Sequence, residues 1–499
     1  MEYQSTRNSE VSVSAAYAIK TGLSADGGLF VPKSFPKFSV DFIGELSKMN
    51  YNERACAVFK EFLGDFSLEE IKACVDKAYN KENFETENIA PVYKLDDKVY
   101  VLELWHGPTC AFKDMALQIL PHLLTKSAKK CNSDKEIVIL VATSGDTGKA
   151  ALEGFADVEG TRIFVFYPQD GVSEIQKLQM ITQEGNNVSV CAVKGNFDDA
   201  QTGVKKIFTD KEYAQKLSQN GFELSSANSI NWGRLMPQIV YYFSAYADML
   251  KNDEIKLGDK VNFTVPTGNF GDILAGYYAM KMGLPVNKFI CASNENNVLT
   301  DFIKTGVYDR NRKFYQTTSP SMDILVSSNL ERLLFDMYQS SDEVAKLMDK
   351  LSSDGVYMVS EEVINKIKKH FWAGFANDNE TASAIKDTDE KYSYVMDTHT
   401  AVGKKVYDKY KAETGDETKN VILSTASPFK FNQSVLIALD GAAAVAGKDE
   451  FELLELLSER SDMKIPASLA GLKNKTRLFN TSCEKEQMKN VVNEFLNIG

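Results

Sequence analysis

The chain has 499 residues, 43% of them apolar and 25% charged, and carries a formal net charge of −12. That composition is ordinary for a soluble globular protein; the acidic balance argues against a nucleic-acid partner, which needs a basic face, and leaves room for a local basic pocket for a small anion. No run of about 20 apolar residues is present to cross a membrane, and at ~150 residues per domain the length suggests about three domains.

The first unit runs over residues 1–88. Its opening residues, Met1-Glu2-Tyr3-Gln4-Ser5, contain no apolar secretion core, so a cytoplasmic protein is expected. The stretch Gly22-Leu23-Ser24-Ala25-Asp26-Gly27-Gly28-Leu29-Phe30-Val31-Pro32 reads as a loop held by glycines with positive φ. Helical periodicity follows at Asn52 to Phe62 and Leu68 to Tyr79, making a small, mainly helical module. The seven cysteines are scattered with no zinc-type pairing, which fits a reduced compartment, and the four histidines are far apart, so no metal site is expected.

From residue 89 to about 440 the pattern changes to short apolar runs alternating with helical stretches. Strands are expected at Val99 to Leu104, Ile137 to Ala142, Ile163 to Tyr167, Val188 to Val193, Asn262 to Val265, Phe289 to Ala292 and Val421 to Leu423. Helices are expected at Met115 to Ala128, Ala150 to Phe155, Phe197 to Phe208 and Met236 to Leu250. Such alternation indicates an α/β fold with parallel βαβ units, in which ligands sit at the carboxyl ends of strands. Phe335 to Ile385 is charged and helical and reads as an insertion on the outside of the core; residues 441–499 read as a helical tail.

The loops after these strands carry the chemistry. Trp105-His106-Gly107-Pro108-Thr109-Cys110-Ala111-Phe112-Lys113-Asp114 places Lys113 where a loop becomes a helix, beside an aromatic ring. Desolvation there would favour a neutral amine suited to carbonyl chemistry, whereas an ordinary lysine at a helix start would stay solvated. Thr143-Ser144-Gly145-Asp146-Thr147-Gly148 opens another helix. Its free amides and hydroxyls suit a carboxylate, with Ser144, Gly145, Asp146 and Thr147 as the candidate residues; a plain capped helix start is the alternative. The following Lys149 raises the possibility of a nucleotide loop, but the glycine spacing is wrong and Ala150 stands where a hydroxyl is required. Pro266-Thr267-Gly268-Asn269-Phe270-Gly271-Asp272 opens a third helix. Its glycines let backbone amides approach an anion such as a phosphate, although a plain strand-to-helix turn would also satisfy the spacing.

The lysine stretch resembles the cofactor-lysine signature of threonine synthases, His-Gly-Pro-Thr-x-Ala-Phe-Lys-Asp-x-Ala-Leu-Gln, with Cys110 and Met115 in the variable places. The glycine-rich turn at Gly22 to Pro32, the Ser144 to Gly148 loop, Asn228-Ser229-Ile230-Asn231-Trp232-Gly233-Arg234, the Gly268 to Asp272 loop, Pro320 to Arg332, and Leu423-Ser424-Thr425-Ala426-Ser427-Pro428 are similar to further segments of that family. The resemblance thus runs from Gly22 to about Pro428. Many relatives carry histidine where this chain has Ser427, which weakens any catalytic expectation for that position.

The resemblance implies a pyridoxal-phosphate-dependent α/β enzyme of fold type II (tryptophan-synthase-β-like), with two subdomains flanking the cofactor. It implies that Lys113 binds pyridoxal 5'-phosphate as a Schiff base and then serves as the proton-transfer base. It places the cofactor phosphate on Gly268, Asn269, Phe270, Gly271 and Asp272, and Thr425 at the pyridine nitrogen. The implied substrate is O-phospho-L-homoserine, converted with water to L-threonine and phosphate. A substrate phosphate calls for a permanent cation with a forked donor set, and Arg234 is the candidate, with a structural ion pair as the alternative. The alternatives in function are a sister lyase such as a threonine dehydratase or cysteine synthase, a non-catalytic relative, and a nucleotide-dependent enzyme. A monomer or homodimer is expected, with no metal, nucleic acid or membrane partner.

Overall fold

The computed structural model describes residues 1–499 apart from Ser144, Asp170 and Gly171, and gives Phe197 and Asp198 by backbone alone. Two sheets organise it. The larger has six strands in the order Phe371–Phe375, Val286–Ser293, Val261–Pro266, Asn420–Ser424, Val99–Glu103, Val92–Lys94. All neighbours are parallel except the last pair, where Val92–Lys94 runs antiparallel to Val99–Glu103. The smaller sheet has five parallel strands in the order Ser482–Glu484, Val188–Lys194, Thr161–Pro168, Glu136–Ala142, Phe222–Ser225.

The central strands are apolar on both faces because helices cover both. Ile137, Val138, Ile139, Leu140 and Val141 are all buried, as are Val421, Ile422 and Leu423. Unbroken apolar runs of this kind belong to parallel sheets rather than to half-exposed antiparallel ones. The architecture is the expected fold-type-II arrangement of two α/β units.

The N-terminal module is closely joined to the rest. Reciprocal capping fixes its helices: Glu53 N–H donates to Asn50 Oδ1 at 3.0 Å and Asn50 N–H to Glu53 Oε2 at 2.8 Å. Trp232, fully buried on the long helix Trp232–Lys251, lies edge-on against Tyr3 and Phe62 of the module. Buried Arg54 donates to Asp248 and Ser244 of the same helix, each at 2.7 Å. Arg7 makes a two-pronged contact to Glu331 at 2.9 and 2.7 Å. Gly22 and Gly27 of the connecting turn have φ of +75° and +78°, which explains their glycines.

Three local features differ from the sequence reading. The helix expected from Met115 to Ala128 is two helices, Asp114–Leu117 and Leu120–Lys130. Pro121 has no N–H for the carbonyl of Leu117, so the first helix stops there. The region Phe335 to Ile385 is not merely an outer insertion, because its segment Phe371–Phe375 is the edge strand beside Val286–Ser293. The tail is not purely helical either: Ser482–Glu484 extends the smaller sheet beside Val188–Lys194. Among the described residues no helix is long and apolar enough to cross a membrane.

Candidate functional site

The lysine loop is held by its own carboxylate and by a neighbouring strand end. Asp114 accepts from Thr109 N–H at 2.8 Å and Thr109 Oγ1 at 2.7 Å. A Cβ on Gly107 would lie 2.5 Å from the Asp114 Cβ, so only glycine lets the loop fold over that carboxylate. Burial pushes the Asp114 carboxyl up to about 6 against the pull of Thr109. Phe112 N–H donates to the Thr425 carbonyl at 2.8 Å, and Ser427 N–H to the Cys110 carbonyl at 3.0 Å. These bonds fix Lys113 relative to the end of strand Asn420–Ser424.

The Lys113 side chain is 11% exposed. Its Nζ lies 3.6 Å from Asp146 Oδ2, 3.5 Å from Ser321 Oγ and 5.0 Å from the Phe112 ring centre. Burial lowers its pKa; Asp146 opposes that shift, and Lys430 and Arg234 add to it. The environment therefore favours the neutral amine expected from the sequence.

In the second loop Ser144 lies outside the described residues. Gly145 has φ +143° and leads into helix Asp146–Phe155, which has no side-chain cap among the described residues. The amides of Gly145 and Gly148 are taken by Thr143 Oγ1, at 3.0 and 2.9 Å. The Asp146 side chain does not fit the substrate-carboxylate reading. It pairs with Lys430 at 2.7 Å and accepts from Gln176 at 3.0 Å and Ser321 at 3.2 Å. Burial alone would raise it, but Lys430 and then Lys113 hold it well below the usual carboxylate range. A fixed anion repels a substrate carboxylate, so what this loop offers an anion is the helix-start amides and the half-buried Thr147 hydroxyl. Lys149 is tied to Glu153 at 2.5 Å and to Gln183, away from any nucleotide role.

The third loop is built for close approach. A Cβ at Gly268 would lie 2.8 Å from the Ser321 carbonyl oxygen, and one at Gly271 would lie 3.2 Å from Asn329 Nδ2. Phe270 has φ +63°, and helix Gly271–Lys281 starts with no side-chain cap among the described residues, which leaves its first amides for a ligand. The outer side of the loop is fastened by Ser327 Oγ to the Gly268 carbonyl at 2.8 Å and Asn329 N–H to the Asn269 carbonyl at 3.0 Å. Arg332, fully buried, bonds Asn329 Oδ1, the Phe30 carbonyl and the Ile230 carbonyl, which gives the Pro320 to Arg332 segment a structural purpose. Asn269 is exposed, and the Phe270 ring is buried 5.7 Å from Phe371. The Asp272 carboxylate points away from the anion cradle. It accepts from Tyr241 at 2.6 Å and Tyr242 at 2.9 Å, and burial pushes it up to about 6. Only the Asp272 backbone amide can serve a phosphate.

Thr425 is 6% exposed, with its hydroxyl making no hydrogen bond among the described residues. Ser427 is fully buried and accepts from Phe429 N–H at 3.4 Å, a turn cap rather than a reactive group. Arg234 is buried with Nη1 on the Ala227 carbonyl at 2.5 Å and Nε without a partner among the described residues. It pairs with no carboxylate among the described residues, and burial lowers it to about 10. The structural ion pair weighed from sequence is therefore not what holds it.

Sequence reasoning missed Ser321, Lys430 and the pair Asp397–His399. His399 Nδ1 meets Asp397 Oδ2 at 2.7 Å, while its Nε2 accepts from Ser321 N–H at 3.1 Å. That fixes the turn carrying Ser321 between Gly268 and Lys113. The available signals were Lys430 standing between Phe429 and Phe431, and an Asp-x-His at a helix start.

These groups fit pyridoxal phosphate: a desolvated amine for its aldehyde, a helix start behind Gly268, which is too crowded for a Cβ, for its phosphate, and Thr425, bonded through its carbonyl to the lysine loop, for its ring. Comparison with known proteins bears on this directly. Residues 2–79 match the family described as threonine synthase N terminus, residues 84–426 the pyridoxal-phosphate dependent enzymes, and residues 400–492 the threonine synthase C-terminal family. The chain is 38% identical over 440 residues to threonine synthase of Pseudomonas aeruginosa, covering 87% of this chain and 90% of that protein. It is 43% identical over 446 residues to threonine synthase-like 1 of Homo sapiens, covering 86% of this chain but 59% of that protein, so it spans well under two thirds of that relative's length. The crystal structure of pyridoxal-phosphate-bound threonine synthase from Brucella melitensis superposes with a TM-score of 0.87 at 37% identity, over 99% of this chain and 98% of the other.

Proposed function

The chain belongs to the threonine synthase family of pyridoxal-phosphate-dependent enzymes, and we propose that it converts O-phospho-L-homoserine and water to L-threonine and phosphate, as a carbon–oxygen lyase acting on a phosphate ester. The observation that carries this reading is the Lys113 amine: buried, biased toward neutrality, and joined through Ser321 to the Gly268 loop.

In this reading Lys113 is the attachment point for pyridoxal phosphate, and the amides at Gly268 to Asp272 hold the cofactor phosphate. The cofactor, when bound, supplies an electron sink for negative charge developing at the substrate α-carbon. Lys113 Nζ, once free, takes and returns the substrate protons, and desolvation keeps it able to do so. Asp146 Oδ2 at 3.6 Å supplies the counter-charge when that amine becomes an ammonium. The amides and Thr147 hydroxyl at the start of helix Asp146–Phe155 bind the substrate carboxylate. Arg234, with no acidic partner among the described residues, receives the substrate phosphate and stabilises it as it leaves. Thr425 would supply a neutral hydroxyl, rather than a carboxylate, as the partner for the cofactor's ring nitrogen.

Purified protein loaded with pyridoxal phosphate and given O-phospho-L-homoserine should release phosphate and form L-threonine in equal amounts. Phosphate release with 2-oxobutanoate in place of threonine would point to a dehydratase-like enzyme, and release of neither would leave a non-catalytic relative.

A further inference from the structure

Lys430 is a lysine with no exposed side chain, on the turn Pro428–Phe431 that follows strand Asn420–Ser424 of the larger sheet. Asp146 begins the helix after strand Glu136–Ala142 of the smaller sheet. Their 2.7 Å contact is therefore a buried ion pair between the two sheets. Lys430 also donates to the Thr109 carbonyl at 3.0 Å, inside the lysine loop. Asp146 divides its oxygens: Oδ1 faces Lys430 and Gln176, and Oδ2 faces Lys113 and Ser321.

We propose that Lys430 and Asp146 are positioning residues for Lys113: a fixed pair that closes the two sheets on each other and sets the pH at which the Lys113 amine is neutral. The inference rests on the reading of Lys113 as the attachment lysine. An isolated Asp146 at 3.6 Å in a buried site would hold Lys113 as an ammonium, which cannot attack a carbonyl. Lys430 on the opposite oxygen cancels most of that charge, and the Ser321 hydroxyl competes for Oδ2. What remains is a counter-ion strong enough to receive a protonated amine and weak enough not to create one. Among the described residues the charged groups bearing most on Lys113 are Asp146, Lys430 and Arg234; those bearing on Lys430 include Asp146 and the buried Asp114. Removing Lys430 or Asp146 thus has opposite consequences for Lys113.

The test is cofactor capture by full-length protein stripped of pyridoxal phosphate. The neutral Nζ adds to the aldehyde carbon, a C=N bond forms and the aldehyde oxygen leaves as water, so the capture rate follows the unprotonated amine. Titration of pyridoxal phosphate itself is common to all variants and drops out of the comparison. Lys430→Met should move the midpoint of the rate–pH profile up, and Asp146→Asn should move it down, each by about one pH unit, the low end of what a neighbouring charge does. Lys430→Arg should stay near the original midpoint. Asp146→Asn retains the shape and the acceptor for Gln176, so it decides the question even where Lys430→Met folds poorly. If the Asp146→Asn midpoint coincides with that of the unsubstituted protein, or moves up, the proposal is overturned. Lys113→Ala should leave no borohydride-trapped adduct. If it does trap one, the attachment reading fails instead.

Discussion

The carbonyl oxygen of Ser321 stands 2.8 Å from where a Cβ on Gly268 would be, so the loop expected to hold a phosphate and the turn above Lys113 share one tight contact. Gly268→Ala must push that backbone apart. Overpacking of this kind costs about 1–3 kcal/mol, which corresponds to roughly 5- to 150-fold weaker cofactor retention. Gly271→Ala meets only the Asn329 side-chain amide at 3.2 Å and should lose less. Cofactor occupancy after dialysis checks the order; equal occupancy in both variants and the unsubstituted protein would remove the cradle assignment.

Arg234→Gln should leave cofactor occupancy intact and raise the O-phospho-L-homoserine concentration needed for turnover. Loss of a charge-assisted contact in a closed site costs about 2–5 kcal/mol of binding. Inhibition by inorganic phosphate should weaken in parallel, because both ligands would use the same cation. Unchanged affinity for both would place the substrate phosphate elsewhere in the site.

Asp272 predicts a pH effect on stability. Its carboxyl sits at about 6 in the folded protein against an ordinary value of 3.8. Below about pH 4 both states are protonated and the group contributes nothing. Between about 4 and 6 the folded state keeps a proton that the unfolded chain has lost, so stability falls as pH rises, reaching about 3 kcal/mol of destabilisation above 6. Asp272→Asn keeps an acceptor for Tyr241 and Tyr242 without that penalty. Its advantage in urea midpoint over the unsubstituted apoprotein should therefore be larger near pH 7 than near pH 4. A constant difference across that range would contradict the assignment.

Gly154 packs its backbone onto the Leu117 carbonyl left without a helical partner by Pro121. A Cβ there collides with backbone rather than with a mobile side chain. Gly154→Ala should lower stability by about 1–3 kcal/mol. Because Gly154 lies on the helix that starts with Asp146, cofactor capture by Lys113 should slow as well. Thermal unfolding and capture rates on one preparation check both, and an unchanged melting temperature would count against the contact.

Much of this architecture is legible in the sequence because its signals are local. Runs such as Ile137 to Ala142 are apolar on both faces, and each motif loop follows such a strand. The missed strands lack that signal: Ser482–Glu484 has only Cys483 buried, and Phe371–Phe375 lies within a charged helical region. At the site, residue types were legible and directions were not. Asp146 and Asp272 lie in the loops that the sequence singled out, yet Lys430 draws one side chain and two tyrosines the other. Those partners are 284 and about 30 residues away in sequence, brought close only by the packing of strands and helices.

The most direct measurement counts phosphate released and L-threonine formed from O-phospho-L-homoserine by the purified protein and by Lys113→Ala, side by side. The account predicts equal amounts of both products from the unsubstituted protein and neither from the variant. Phosphate without threonine, or more than a small fraction of threonine formation surviving in Lys113→Ala, would contradict it.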